Sequence, residues 1–224
     1  VVAAGSGERF KGVKQFADLL GVPVLARTLS VFDGCPHIRD IVVVGKKDSV
    51  ADIQNLCDRY EISKVTAVVE GGKNRFESVV NGVKACSPDI SFFAIHDGAR
   101  PMLNQKIIAR CIEGAKKYKA CVAGVATKDT VKIVDKDKKV VNTPQRNSVW
   151  ITQTPQAFYT ALIKKAYAEM IKSKESNVTD DAMVVETYGD ADVYFVEGSY
   201  SNIKITTPED IEVAEVLLSK KESI

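Results

Sequence analysis

The chain carries no excess of charge of either sign. Thirty-one basic residues stand against 29 acidic ones in 224, a formal net charge of +2. That balance gives no field for holding a nucleic-acid backbone or an anionic membrane, and it leaves a small charged molecule as the fitting partner. No apolar run approaches the roughly 20 residues that cross a bilayer, and no signal-like segment opens the chain. The five cysteines (Cys35, Cys57, Cys86, Cys111, Cys121) are odd in number and show no CxxC spacing, so they predict reduced, structural thiols and a cytoplasmic setting. Internal repeats, low-complexity tracts and linkers are also missing. A 45% hydrophobic content is enough to bury one sizeable core, so a single domain is expected over residues 1–224. The sequence opens on Val1, inside a strand-like run, and an initiator with the start of that strand is expected upstream.

What is present is an alternation of short β-branched runs with longer amphipathic ones, which predicts an α/β fold whose sheet is covered by helices on both faces. Strands are expected at residues 1–4, 41–44, 65–69, 92–96, 120–125 and 193–196, and helices at 24–32, 49–60, 75–85, 105–118, 158–171 and 208–218. Thr207, Pro208, Glu209 and Asp210 make a legible start for the last helix: a cap, a first-turn proline and acids at the positive end of the dipole. Residues 130–149 break the alternation. Two β-branched runs there flank the polar turn Asp135-Lys136-Asp137-Lys138 and predict a two-stranded ribbon. Such a ribbon is marginal alone and is expected to pack on something else, such as a second subunit.

The first strand ends in Ala3-Ala4-Gly5-Ser6-Gly7-Glu8-Arg9-Phe10, with Lys11 and Lys14 close behind. Glycines after a strand let the backbone approach a ligand and turn its N–H groups inward, and Arg9 and Lys14 add cationic donors suited to phosphate. Phe10 in place of the third glycine departs from the dinucleotide fingerprint, and no Gly-Lys-Ser/Thr follows to make a P-loop. Asp97 closes another apolar run, at the sheet edge where α/β proteins bind ligands. It could lie near magnesium, hydrogen-bond a hydroxyl, or simply pair with Arg100 in a turn. Asp180 and Asp181 open a helix and could serve only as its cap.

Read in order, the blocks Ala3 to Phe10 with Lys14-Gln15-Phe16, Gly71-Gly72-Lys73-Asn74-Arg75 with Ser78, His96-Asp97-Gly98-Ala99-Arg100-Pro101, Thr154-Pro155-Gln156-Ala157-Phe158, Thr179-Asp180-Asp181-Ala182 and Asn202-Ile203-Lys204-Ile205-Thr206 span the chain. Together they resemble the 2-C-methyl-D-erythritol 4-phosphate cytidylyltransferases. Val13 stands where the family usually has proline. The resemblance implies a doubly wound, mostly parallel nucleotidyltransferase-like sheet with an extended β arm that joins a homodimer. It also implies transfer of CMP from CTP to a sugar-alcohol phosphate, with Mg2+.

By the same resemblance the catalytic set is Arg9, Lys14, Arg146 and Lys204. Ala3, Ala4, Gly5, Gly7, Gly72, Arg75 and Ser78 are expected around CTP. Asp97, Arg100, Thr130 and Thr154 are expected around the sugar-alcohol phosphate, with Asp97 also near the metal. Thr130 and Arg146 would act across the dimer interface, and His96 would pack. No Ser-His-Asp or Cys-His set is needed, because a phosphate monoester with a second pKa near about 6 is already an ionised nucleophile at neutral pH. Three other readings compete: a ribitol-5-phosphate cytidylyltransferase, a CTP-sensing module without catalysis, and a dinucleotide-dependent dehydrogenase. Ala-Ala-Gly and Gly-Ala-Arg-Pro weigh against the first, the retained Arg9, Lys14, Arg146 and Lys204 against the second, and Phe10 against the third.

Overall fold

Five consecutive apolar residues at 41–45 and six of seven at 120–126 are fully buried, as strands covered on both faces require. The computed structural model describes residues 1–5, 10, 12–173 and 177–222. In chain order the elements are β1 (Asp18–Leu19), β2 (Val22–Pro23), α1 (Val24–Asp33), β3 (Ile41–Gly45), α2 (Val50–Arg59), β4 (Val65–Glu70), α3 (Arg75–Ala85), β5 (Phe92–Ile95), α4 (Gln105–Tyr118) and β6 (Ala120–Ala126). They continue with β7 (Ile133–Val134), β8 (Val140–Asn142), β9 (Trp150–Tyr159), α5 (Thr160–Ser173), α6 (Asp181–Tyr188), β10 (Tyr194–Glu197) and α7 (Glu209–Glu222).

The N-terminal residues stitch two sets of strands together. Val2 forms parallel bridges to Val44 and to Asp97. Ala3 N–H donates to Val44 O at 2.7 Å, Val2 N–H to His96 O at 2.8 Å and Gly98 N–H to Val2 O at 2.9 Å. The order across the molecule is therefore β4, β3, the N-terminal segment, β5, β9, β6 and β10. Pairing is parallel for β3 with β4 and for β6 with β10. It is antiparallel where β9 lies between β5 and β6.

The period of two sorts side chains to the two faces. Val43, Cys121, Ala123 and Ala157 pack with Leu25, Leu29 and Phe32 of α1, Ile53 of α2 and Ile107 and Cys111 of α4. Phe93, Ile95, Val122 and Phe158 pack with Val79 of α3, Ile163, Ala166 and Tyr167 of α5 and Val184 of α6. Helices on both faces of a mixed sheet make an α/β sandwich, as expected. A third, smaller cluster joins Leu19, Val24, Met102, Ile205 and Ala214 of α7.

Two expectations are corrected. The helix predicted from residue 158 starts at Thr160, and residues 150–159 form β9, the antiparallel strand at the middle of a sheet expected to be mostly parallel. Pro155 hid it, since proline inside a run argues against a central strand. The register explains the tolerance: it slips between Val122↔Gln156 and Gly124↔Thr152, so Pro155 sits in a bulge where no ladder donor is needed. The start of α7 is held by Asp210 reaching back to Thr206 N–H at 2.7 Å and Thr207 N–H at 2.9 Å. The ribbon predicted at 130–149 is present, with β7 and β8 antiparallel around a turn in which Asp135 Oδ1 accepts from the Asp137 and Lys139 N–H groups. Both of its strands are exposed throughout.

Phe158 is wholly buried between β5, β6 and the α5 face. Phe158→Ala is expected to lower unfolding free energy by about 3–5 kcal/mol. Denaturant titration checks this, and a loss below about 1 kcal/mol would contradict the packing described.

Candidate active site

Asp97 follows β5 directly, at the carboxyl edge of the sheet. The chain turns there because residue 98 is glycine: a Cβ at Gly98 would lie 3.0 Å from Leu25 Cδ1 and 3.2 Å from Ala3 Cβ. The Asp97 carboxylate is buried, and three cations from separate parts of the chain surround it. Lys204 Nζ lies 2.8 Å from Oδ2, Arg100 Nε 3.6 Å from Oδ2 and Arg75 Nη2 3.7 Å from Oδ1. Burial by itself would raise the Asp97 pKa; the Lys204 ammonium, with Arg75 and Arg100, overcomes that and holds it well below the usual carboxylate range. Arg75 is also paired with the buried Asp181, so two carboxylates face three cations and one positive charge is left over. Two donors in this cluster, Arg75 Nη1 and Arg100 Nε, are buried and make no hydrogen bond among the described residues. Unsatisfied guanidinium N–H groups beside a cationic surplus are what an anionic ligand would complete.

Arg100 is aimed by its Nη1, which donates to Asn202 O at 2.7 Å. Arg75, first residue of α3, is held by Asp181 through Nη2 to Oδ2 at 2.6 Å. Thr154 Oγ1 accepts the Asp97 N–H at 3.1 Å and lies 3.0 Å from His96 Nδ1. Nε2 faces the Arg100 carbonyl at 3.4 Å, which can only accept, so His96 is assigned as the Nε2–H tautomer and the Thr154 hydroxyl donates to Nδ1. His96 is wholly buried and edge-on to Phe32, and desolvation pushes its pKa from 6.5 to about 3. It is a neutral packing residue.

The glycine-rich turns meet on the other side of the N-terminal segment. A Cβ at Gly71 would lie 2.6 Å from Ala4 Cβ and 2.8 Å from Ser78 Oγ, so only glycine lets residues 71–72 lie against Ala4. Ser78 Oγ accepts the Gly72 N–H at 3.1 Å and donates to Asn74 O at 2.8 Å. Asn74 and Glu77 close a reciprocal cap on α3, with Glu77 N–H donating to Asn74 Oδ1 at 2.9 Å. Gln15, buried, donates from Nε2 to the Ala3 carbonyl and, at 3.5 Å, to that of Gly5. Lys14 Nζ donates to Ile205 O at 3.1 Å, which brings it beside the Lys204 backbone.

Of the predicted residues, the structure gathers Asp97, Arg100, Lys204, Arg75 and Thr154 into one cluster, with Lys14 at its Ile205 flank. Ala3, Ala4, Gly5, Gly72 and Ser78 line the adjoining turns. Arg9 and Gly7 lie outside the described residues. Thr130 and Arg146 meet each other at 3.3 Å on the exposed arm, and no hydrogen bond or ion pair among the described residues ties them to Asp97. A cavity of about 360 Å³ opens elsewhere, beside Val1 between Val42 and Phe92, and none of the predicted residues lines it. Its walls are mostly apolar, and the charge chemistry lies at Asp97.

The model of the family described as IspD, 2-C-methyl-D-erythritol 4-phosphate cytidylyltransferase, matches residues 1–220. The chain belongs to this family. A relative of that name in Lachnospira eligens is 42% identical over 221 residues, 97% of each chain. Another in Clostridium botulinum strain Langeland is 44% identical over 222 residues, 98% of this chain and 96% of the relative. The crystal structure of 4-diphosphocytidyl-2C-methyl-D-erythritol synthase from Anaerococcus prevotii superposes with a TM-score of 0.87 at 37% identity, covering 97% of this chain and 93% of that one. The Thermus thermophilus cytidylyltransferase structure superposes at 0.78 with 29% identity and 97% of each chain.

Around this cluster, the roles of three side chains, Asp181, Asn202 and Gln156, escaped the sequence reading. Asp180 does cap α6, accepting Met183 N–H at 2.9 Å, but Asp181 is wholly buried and ligates Arg75. Asn202 Nδ2 donates to Thr154 O at 3.0 Å and to Gln153 Oε1 at 3.2 Å. Gln156 donates to Asp180 Oδ2 at 2.8 Å and accepts the Ala182 N–H at 2.9 Å. An aspartate doublet before a helix reads as a cap, and glutamines in a strand carry no signal of their own.

For magnesium the donor set is thin. Asp97 is engaged by Lys204 and the neighbouring carboxylate, Asp181, by Arg75 and Tyr167, and among the described residues no group of three His, Cys, Asp or Glu side chains gathers. A resident metal site does not fit these residues. Magnesium that keeps its water and rides on substrate phosphates is the arrangement they leave open.

His96 makes acid sensitivity testable. Its folded pKa of about 3 lies below the ordinary 6.5, so the unfolded chain binds the extra proton. Stability is present above about pH 6.5 and is lost as pH falls through that window. Denaturant midpoints should drop between pH 6.5 and 4.5, and the drop should be smaller in His96→Gln; an equal slope in both proteins would refute it.

Proposed function

We propose that the Asp97 centre transfers CMP from CTP to 2-C-methyl-D-erythritol 4-phosphate, releasing pyrophosphate and supplying isoprenoid precursor synthesis. The observation that carries this reading is the buried carboxylate ringed by Lys204, Arg75 and Arg100, with two guanidinium N–H groups that make no hydrogen bond among the described residues, near the Gly71–Gly72 turn before α3. An oxygen of the sugar-alcohol phosphate attacks the α-phosphorus in line. The new P–O bond forms as the bond to the β-phosphate bridging oxygen breaks, and pyrophosphate leaves with the electron pair. CTP enters as its magnesium complex.

The work of the protein is then positioning and charge neutralisation. Ala3, Ala4, Gly5, Gly7, Gly72, Arg75 and Ser78 hold the nucleotide. Lys204 and Arg100 hold the attacking phosphate, and Asp97 fixes Lys204. Thr154 takes the Asp97 N–H and steadies the turn. Lys14 and Arg9 face the charge that builds on the α-phosphate and the pyrophosphate. The five thiols stay reduced: burial pushes those of Cys57 and Cys121 up to about 11, as befits a cytoplasmic enzyme.

The reading extends to a homodimer of single-domain chains joined by the arm. Exposed apolar side chains crowd its ribbon: Val131, Ile133, Val134, Val140 and Val141, the last 65% exposed. A two-stranded ribbon with such a surface is poorly stable in water, and a second copy would cover it. Arg146 and Thr130 would then reach the substrate phosphate held in the partner subunit's site.

Pyrophosphate release from CTP and magnesium is expected with 2-C-methyl-D-erythritol 4-phosphate; equal or faster turnover with ribitol 5-phosphate would overturn the substrate assignment. Lys14→Ala should lower kcat by about a hundredfold or more while changing CTP affinity far less. Weakened binding with normal turnover would assign Lys14 to the ground state alone. The arm has its own test. In a mixed dimer of Lys14→Ala and Arg146→Ala chains one site carries both defects and the other none, so random reassortment should recover about a quarter of wild-type activity. Heterodimers confirmed by mass that recover nothing would remove the shared site.

A further inference from the structure

Arg75 stands between two carboxylates and bonds to only one. Its Nη2 lies 2.6 Å from Asp181 Oδ2 and 3.7 Å from Asp97 Oδ1. The second oxygen of Asp181 is also taken, because Tyr167 on α5 donates its hydroxyl to Oδ1 at 2.5 Å. Asp181 is wholly buried and Tyr167 is 4% exposed, so water does not compete for this link. The first turn of α6 is pinned on both sides of Asp181 by Gln156, through Asp180 Oδ2 and the Ala182 N–H. A buried carboxylate needs its charge matched and its lone pairs filled, and here each oxygen has one donor, a neutral hydroxyl on one side and a guanidinium on the other.

The established chemistry has no use for Tyr167, which lies outside the Asp97 cluster. We infer that Tyr167 and Asp181 are positioning residues: together they hold the Arg75 guanidinium off Asp97, so that Nη1, which makes no hydrogen bond among the described residues, is kept for the nucleotide and Asp97 stays with Lys204. Without the pull of Asp181, Arg75 would close the remaining gap and form a direct pair with Asp97. That pair would both withdraw the donor kept for the ligand and compete with Lys204 for the carboxylate. The hydroxyl of Tyr167 matters because it fixes which Asp181 oxygen Arg75 receives. Burial and the neighbouring Asp181 charge push the phenol pKa up, so it remains a donor at any working pH. The inference rests on the proposed assignment of Arg75 to the nucleotide.

Tyr167→Phe removes the hydroxyl and keeps the ring that packs among α5 and α6. The test is a double-mutant cycle on magnesium–CTP binding by titration calorimetry, with Tyr167→Phe, Arg75→Gln and both together. Tyr167→Phe is expected to weaken binding by about tenfold, the scale of a hydrogen bond to a charged group, and to add nothing once Arg75 is gone. Unchanged affinity in Tyr167→Phe would overturn the inference. So would the same loss in both backgrounds, which would assign the hydroxyl to folding alone. Arg75→Gln with wild-type affinity would instead sink the nucleotide assignment of Arg75, and the inference with it. If Tyr167→Phe fails to fold by circular dichroism, Asp181→Asn takes its place in the cycle, with the same expected loss and the same two overturning results.

Discussion

A carboxylate that is buried at the end of a strand costs several kcal/mol to desolvate unless opposite charges meet it there. Asp97 is met by Lys204, Arg100 and Arg75, which come from the segment before α7, from the turn after β5 and from the start of α3. The rest of the site is arranged so that these three groups converge. Asn202 aims Arg100, Asp181 aims Arg75, and Lys14 comes down beside Lys204 through the Ile205 carbonyl. Asp181 answers Arg75, so these three cations exceed the two buried carboxylates by one positive charge, which is unfavourable in the free protein. It is relieved when a triphosphate or phosphate monoester enters, which ties substrate affinity to the same interaction that organises the fold around the site.

β9 is the scaffold beneath that arrangement. Its side chains Gln153, Thr154 and Gln156 are buried and polar, an unusual content for a strand in the middle of a sheet. Each is satisfied by a piece of the site. Gln153 holds the 199–202 turn, with Nε2 donating to Ser199 O at 2.7 Å. Thr154 receives Asp97, and Gln156 receives the start of α6. Buried polar networks of this kind specify a single arrangement because a partly made one leaves orphaned groups in low dielectric. The bulge at Pro155 interrupts the ladder to β6 between Val122 and Gly124, and pairing resumes on either side of it while the ladder to β5 is continuous.

The arm contrasts with this centre. Asp97 and its partners are packed and cross-linked, whereas β7 and β8 expose every residue and contact water on both faces. A centre that holds several charges against one carboxylate needs packing around it, and a ribbon exposed on both faces has none. The chain separates them by placing both strands of the ribbon between β6 and β9, outside the core.

Much of this was readable beforehand. Strands such as β3 and β6 announced themselves by unbroken apolar runs, α3 and α4 by amphipathic period, and the ribbon by two β-branched runs around Asp135 to Lys138, because these are local signals. Lys14 and Arg100 were legible as donors suited to phosphate and Asp97 as a carboxylate at the sheet edge, while Arg75 and Lys204 took their roles from the family resemblance. What the sequence could not determine was which of them share a carboxylate. Lys204 and Arg75 are separated by well over a hundred positions, and it takes the Ile205 N–H bond to Ala99 O for one and the packing of α3 on the sheet for the other to bring both to Asp97. Asp181 read as a cap and Tyr167 lay unremarked inside an expected helix, since each obeys its local pattern while its contacts depend on a partner from another element. β9 stayed hidden for the related reason that Pro155 violates the local rule for a central strand, and the bulge that lifts the violation exists only once β6 is alongside. Local pattern decided the elements and the residue chemistry; long-range pairing decided the site, because burial of charge is a property of the assembled neighbourhood and not of any one segment.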